Sequence, residues 1–140
     1  MWTFHQTGSL EDATGKVVST AVYAGKGEGL NNPILQDVHA GCRWQNGAWA
    51  PVEGLTPDDC GPLPQGFYEI ADPIDTTTHG PFVMWLTPEP ETEMFGRSGM
   101  GWHGDSIPHP GEASLGCIVS PRPTRNLVPV SQDKRLQVIA

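Results

Sequence analysis

A glycine or proline falls on average about every five residues of this chain, fourteen prolines and seventeen glycines in 140. Punctuation that dense leaves little room for long helices. Proline removes a helix hydrogen bond and clashes with the preceding turn, and glycine costs about 1 kcal/mol against alanine in a helix interior. Short strands joined by turns are what such a chain can build, and the apolar pattern agrees.

Trp2-Thr3-Phe4-His5-Gln6 alternates large apolar and polar side chains at period two, as a half-buried strand does. Thr7-Gly8-Ser9 and Ala13-Thr14-Gly15-Lys16 read as turns, and residues 17–23 as a β-branched strand, so the start predicts a meander of short antiparallel strands. Residues 67–70 form a further strand, residues 72–80 a polar loop. Residues 81–87 are nearly continuously apolar, which predicts a central strand buried on both faces. Another extended piece should deliver Trp102 and His103, and Ile118-Val119 is strand-like. Residues 123–128 suit one or two helical turns stopped by Pro129, and residues 136–139 a closing strand. The expectation is one mainly β domain over residues 1–140, a sandwich or barrel with at most short helices.

Two segments stand apart. Residues 25–33, Gly-Lys-Gly-Glu-Gly-Leu-Asn-Asn-Pro, lack the Gly-Lys-Ser/Thr ending of a P-loop and no helical pattern follows, so they read as an ordered loop lining a cleft. Residues 36–61 show no clean periodicity. Within them Trp44 and Trp49 flank Asn46-Gly47, a dipeptide suited to a tight hairpin turn, which predicts a two-stranded insertion. The two tryptophans are either satellite packing or a sugar-stacking surface. Cys42 and Cys60 bracket this segment. They are either two unrelated thiols or a bridge worth about 3 kcal/mol, and Cys117 is then left over.

Charge excludes one class of partner. At a net −8 with scattered Lys and Arg, the chain has no cluster to neutralise a nucleic-acid backbone. No apolar run approaches the ~20 residues that span a bilayer. Met1 leads into Trp-Thr-Phe-His with neither a basic nor an apolar leader region, so no signal peptide is expected in this chain.

The chemistry concentrates in residues 100–119, Met-Gly-Trp-His-Gly-Asp-Ser-Ile-Pro-His-Pro-Gly-Glu-Ala-Ser-Leu-Gly-Cys-Ile-Val. Cys117 is a nucleophile candidate and His103, fourteen residues earlier, a base candidate. A thiol attacks a carbonyl as the thiolate, and an imidazole can take its proton. Gly116 lets the backbone approach a substrate, and N–H groups at Gly116 and Cys117 are candidate oxyanion donors. Ser114 either bonds within the turn or orients His103. Asp105 either orients the imidazole or holds a substrate ammonium. His103, Asp105, His109 and Cys117 are also metal-ligand types, but no paired-ligand motif accompanies them, so neither metal nor cofactor is expected.

Trp102-His103-Gly104-Asp105 followed by Ser114-Leu115-Gly116-Cys117-Ile118 resembles the signature of the L,D-transpeptidase (YkuD-type) catalytic domain. Phe95-Gly-Arg97-Ser-Gly99, His-Gly-Asp and Pro121-Arg122-Pro123 resemble the branch formed by type VI secretion effectors. That branch also has loops similar to Tyr23-Ala-Gly25-Lys26-Gly27, to Asn31-Asn32-Pro33 and to residues 61–66. The resemblance implies a β-sandwich-like fold whose cysteine attacks the amide after the third residue of a peptidoglycan stem peptide. Water, a D-amino acid or another stem's amine then resolves the acyl-enzyme. By matched position Cys117 is the nucleophile, His103 the base and then acid, and Gly116 with Cys117 the oxyanion donors.

One departure bears on how substrate is held. Many housekeeping members carry Arg directly after Gly-Cys-Ile, where this chain has Val119. The holder of a substrate carboxylate is therefore open, with Arg97 and Arg122 as candidates, while Trp102 and Asp105 are candidate substrate-binding residues of other kinds. The resemblance to the type VI effector branch implies L,D-carboxypeptidase or D-amino-acid exchange ahead of cross-linking, in the periplasm or cell envelope, with stem peptides as partners. A specialised secretion system would export the chain, and a secretion carrier or an immunity protein would be a further partner. Two other readings are a catalytically inactive peptide-binding module and a sortase-like transpeptidase, which needs a strand arginine after the cysteine.

Overall fold

A computed structural model describes residues 1–140, and it places thirteen strands and one α-helix along the chain. β1 (Trp2–His5) buries Trp2 and Phe4 and leaves Thr3 and His5 half-buried, the alternation its sequence prescribes. It turns through Gly8, whose φ of +110° an L side chain rarely adopts, into β2 (Ser9–Glu11). β2 pairs in turn with β3 (Val17–Ser19), completing an antiparallel meander.

The strand expected over residues 17–23 is broken. Ser19 Oγ accepts the Ala21 N–H at 3.1 Å, a local turn that ends β3 and lets β4 (Tyr23–Ala24) leave for a different neighbour. Residues 38–51 form their own three-stranded sheet, one strand more than expected: β5 (Val38–His39), β6 (Cys42–Gln45) and β7 (Ala48–Pro51). Asn46 and Gly47 both have positive φ, as a two-residue hairpin turn of matching twist requires, and Trp44 sits directly opposite Trp49. Their rings meet edge to face at 5.4 Å, and Trp44 packs over Gly96 while staying 45 % exposed.

No disulfide pins this insertion, because all three cysteines are free thiols. Cys60 Sγ faces the β5–β6 turn, where it accepts the Ala40 N–H at 3.3 Å, while the Cys60 backbone exchanges two hydrogen bonds with Lys26. The buried Asp59 does the anchoring. Its carboxylate accepts from the Glu28 and Thr56 amides at 2.9 and 2.7 Å, and its carbonyl accepts from Gly41.

β8 (Gly66–Ile70), β10 (Gly80–Pro88), β11 (Gly101–His103), β12 (Ile118–Val119) and β13 (Arg135–Ile139) complete the large sheet, and a short β9 (Ile74–Thr76) pairs onto β10. β9 lies inside the segment expected to be polar loop. Its hairpin is closed by side chains, with Thr76 Oγ1 donating to the Gly80 carbonyl and accepting the His79 N–H. β10 is central as expected, with β8 and β11 as neighbours, but only Val83, Met84 and Leu86 are buried, with Trp85 among them half-buried.

The strand order is β3-β2-β1-β13-β8-β10-β11-β12-β4. β1 and β11 are four strands apart in that order, about 19 Å across a flat sheet. Yet the Trp2 and Trp102 rings meet edge to face with centroids 6.5 Å apart. The sheet therefore folds back on itself, and one sixteen-residue core fills the space between its halves. The fold is mainly β with one short helix, as expected.

That helix, α1 (Arg122–Ser131), runs longer than expected and passes through Pro129. Pro129 stands three residues before the left-handed Gln132 that ends the helix, so the missing N–H falls in its last turn. No helix is long and apolar enough to cross a membrane.

Candidate active site

β11 and β12 run parallel, with Trp102 opposite Ile118 and His103 opposite Val119. β4 runs antiparallel on the far side of β12, with Ala24 opposite Ile118. Trp102, Ile118 and Ala24 point into the core, each fully buried. Side chains alternate across a strand, so Gly101, His103 and the residue before Ile118, Cys117, belong to the other face. His103 and Cys117 are thus diagonal neighbours across two adjacent strands. Both open onto one cleft of about 780 Å³, which Lys26, His39, His79 and Asp105 also line.

Cys117 is 7 % exposed. The Gly101 N–H donates to its sulfur at 3.3 Å, and the thiol leans on the Gly99 carbonyl at 3.8 Å. Burial pushes the thiol up from its ordinary range, against the pull of the Gly101 amide and the Arg97 charge. The resting group is therefore a protonated thiol.

His103 is 4 % exposed, and its Nδ1 lies 2.7 Å from the Gly104 carbonyl. A carbonyl only accepts, so Nδ1 carries the hydrogen and the lone pair of the neutral ring is on Nε2. Burial holds the imidazole below its usual range. The Gly104 carbonyl and Asp105 oppose that shift, and His79 and Arg125 add to it. The rings of His79 and His103 meet edge to face at 5.2 Å, and His79 packs in the same way on Trp85 at 5.1 Å. No hydrogen bond joins His103 to Cys117 in the resting structure, a looseness common before substrate binds.

The Ser-Leu-Gly-Cys turn is fixed by its serine. Ser114 Oγ accepts the Gly25 and Gly116 amides at 2.9 and 3.0 Å and donates to the Cys117 carbonyl at 2.6 Å. Ser114 thus bonds within the turn and does not orient His103, a task the Gly104 carbonyl performs. Gly116 is required by its φ of +139° and by the Arg97 guanidinium, which lies where a Cβ would be. Its amide, however, is occupied by Ser114, which removes Gly116 from the expected oxyanion donors and leaves the Cys117 N–H.

Three of the four expected substrate-binding residues do other work. Arg97 is 5 % exposed and donates to the carbonyls of Gln36, Gly61, Pro62 and Leu115 at 2.6–2.9 Å, stitching the cysteine turn to the segment before β8. It holds the scaffold, not a ligand. Trp102 is fully buried, its Nε1 donating to Ser120 Oγ at 2.7 Å, and is a core residue. Arg122 is exposed away from the cleft, over the Phe82 ring at 4.2 Å and bonded to Asn126. Asp105 does line the cleft. Its carboxylate accepts from the Tyr23 hydroxyl at 2.6 Å and from the Ser106 and Gly111 amides, so it braces its own loop.

Several cleft residues carried no signal in the sequence. His79 sits in a stretch that reads as polar loop, and Arg125 in one that reads as helix. Arg125 reaches under the cleft to donate to the Ser120, Phe82 and Pro81 carbonyls. Tyr23, behind the lining, donates to Asp105 and accepts the Ala113 N–H at 3.0 Å; in the sequence it stands at a strand end and opens a loop that shares in the resemblance, with no sign of this contact. Of the four ligand-type side chains, His103, Asp105, His109 and Cys117, no three converge on one point. No family model matches the chain, no curated protein matches it, and no solved structure matches it.

Proposed function

We propose that this chain is a cysteine enzyme that modifies peptidoglycan stem peptides through an acyl-enzyme, as an L,D-carboxypeptidase, a D-amino-acid exchanger or both. The observation that carries the reading is the placement of Cys117 and His103 on one face of adjacent strands, both opening on one cleft. The sequence resemblance supplies the substrate class.

In this reading substrate binding excludes water and brings the scissile carbonyl over Cys117. Nε2 of His103 takes the thiol proton, and the Gly101 N–H steadies the thiolate left behind. The sulfur adds to the carbonyl carbon, and the Cys117 N–H faces the oxyanion. Collapse breaks the C–N bond, and the departing D-amino acid takes its proton from His103. Water or a second D-amino acid then gives a proton to the same nitrogen, attacks the thioester and releases the peptide, and the thiolate recovers its hydrogen. The site of action is the periplasm or cell envelope. Such an enzyme suits a secreted antibacterial effector, with a secretion carrier and an immunity protein as its partners.

A second reading, a binding module on the same scaffold, is favoured by the small exposure of the thiol at the cleft wall and its lack of a bond to His103. The sortase-like reading loses its arginine: Arg135, the only arginine in a strand after Cys117, pairs with Glu89 and stacks on Phe67 on the outer surface. Incubation with purified tetrapeptide muropeptides separates the two surviving readings. An enzyme removes or exchanges the terminal D-alanine, a loss or gain seen by mass, and Cys117→Ala does neither. Binding without any change in mass supports the module.

A further inference from the structure

With Arg97 and Arg122 both occupied elsewhere, the cleft's means of holding a carboxylate is unassigned. The chain has eight Lys and Arg residues. Arg43 pairs with Asp37, Lys134 with Asp72 and Arg135 with Glu89, all away from the cleft. Lys16 closes the β2–β3 turn. Only Lys26 and Arg125 line the cleft. Lys26 gives no side-chain hydrogen bond to the backbone, whereas three of the five N–H groups of Arg125 are spent on carbonyls that hold its guanidinium in place. Its only ionic partner is Asp58 at 3.6 Å, a side chain 82 % exposed to water, so the pair is loose and easily exchanged.

Position favours the same residue. β4 pairs with β12 so that the step beyond Ala24–Ile118 brings Gly25 beside Cys117, a placement the Gly25 amide reinforces by donating to Ser114 Oγ. Lys26 follows directly, with its backbone locked onto Cys60 by two hydrogen bonds at 2.8 and 3.0 Å. Paired strands lie about 5 Å apart, so the lysine starts within a side-chain length of the sulfur. Two acidic residues line the cleft, Asp105 and Glu112, and Asp58, outside the lining, stands against Lys26. Asp105 is held by Tyr23, which pairs with Val119 at the far end of β12, and Glu112 leans on His109. A carboxylate entering the cleft is repelled by Asp105 at the Val119 end and meets Lys26 at the Cys117 end, where it exchanges with the exposed Asp58.

The geometry points to Lys26 as the carboxylate anchor of this cleft, selecting peptides whose third residue, the one that supplies the carbonyl Cys117 attacks, carries a free side-chain carboxylate. This assignment rests on the peptide-cleaving reading of the site, so its test must work without turnover. Binding is measured by calorimetry in the Cys117→Ala background, using two stem tetrapeptides whose third residue ends in either a carboxylate or a carboxamide. The carboxylate peptide should bind about ten- to a hundredfold tighter, the range of one charge-assisted hydrogen bond. Adding Lys26→Met should bring the two affinities together, and Lys26→Arg should keep them apart. Equal binding of the two peptides, no binding of either, or a preference that survives Lys26→Met overturns the anchor. A preference that vanishes with Lys26→Met while unmutated protein cleaves neither peptide upholds the anchor and overturns only the enzyme.

Discussion

Ser114 donates its hydroxyl hydrogen to the carbonyl of Cys117 at 2.6 Å, and the same oxygen accepts the amides of Gly25 and Gly116. One fully buried hydroxyl therefore ties the nucleophile's own backbone to β4 and sets the direction in which the thiol leaves the sheet.

Removing that oxygen should be costly. Ser114→Ala leaves two donors and one acceptor unpaired in a dry site, a loss of about 2–3 kcal/mol. For a domain of this size that lowers the melting temperature by roughly 6–10 °C. Thermal unfolding checks it. A variant as stable as the unmutated chain would mean that the turn is held by something else.

Arg97→Met separates scaffold from ligand binding. Four carbonyls lose their donor, and the expected loss is about 3 kcal/mol of stability, read from urea unfolding. Unchanged stability with a raised KM would return Arg97 to the substrate.

The pH dependence follows from burial. His103 must be neutral to accept a proton, and it titrates below the usual imidazole range. Cys117 must keep its proton until substrate arrives, and it titrates above the usual thiol range. The plateau of kcat/KM should therefore extend from below about pH 6.5 to above about pH 8.5, wider than an unperturbed pair would allow. Stability shares the acid side. The depressed His103 value gives a contribution that is whole above the unfolded imidazole's pKa and is lost as pH falls through the lower folded one. Urea midpoints should fall between pH 7 and pH 5, and His103→Gln should flatten that fall.

How much of this was legible in the sequence differs from residue to residue. The Trp2/Phe4 alternation and the Asn46-Gly47 turn are local rules, and the chain obeys them. His103 and Cys117 were legible as residue types. Their meeting depends on β11 and β12 being parallel neighbours, and spacing along the chain does not encode that. Arg97 escapes a reading by residue type, because a single arginine in a polar stretch looks the same whether its guanidinium meets a ligand or four carbonyls. Pro129 reads as a helix stop, yet its cost depends on how near the helix end it falls. The break after Ser19 and the hairpin at Thr76 are both made by hydroxyls bonding to the backbone, which apolar periodicity cannot register.

Tyr23→Phe tests the loop over the cleft. It removes the donor to Asp105 and the acceptor for Ala113, both half-exposed or more, so stability should change by less than about 1 kcal/mol. Amide exchange over residues 105–113 should quicken while the core stays protected, and KM should rise with little change in kcat. Undisturbed exchange in that loop would show that Asp105 is braced without Tyr23.

The most direct measurement is the intact mass of the protein during reaction with a stem tetrapeptide. An acyl-enzyme at Cys117 adds the tripeptide acyl group, whose mass is that of the tetrapeptide less D-alanine. Free D-alanine should appear with it, His103→Gln should slow its formation, and Cys117→Ala should show none. Folded protein that acquires no such mass, or acquires it equally after Cys117→Ala, contradicts the assignment of that sulfur as nucleophile.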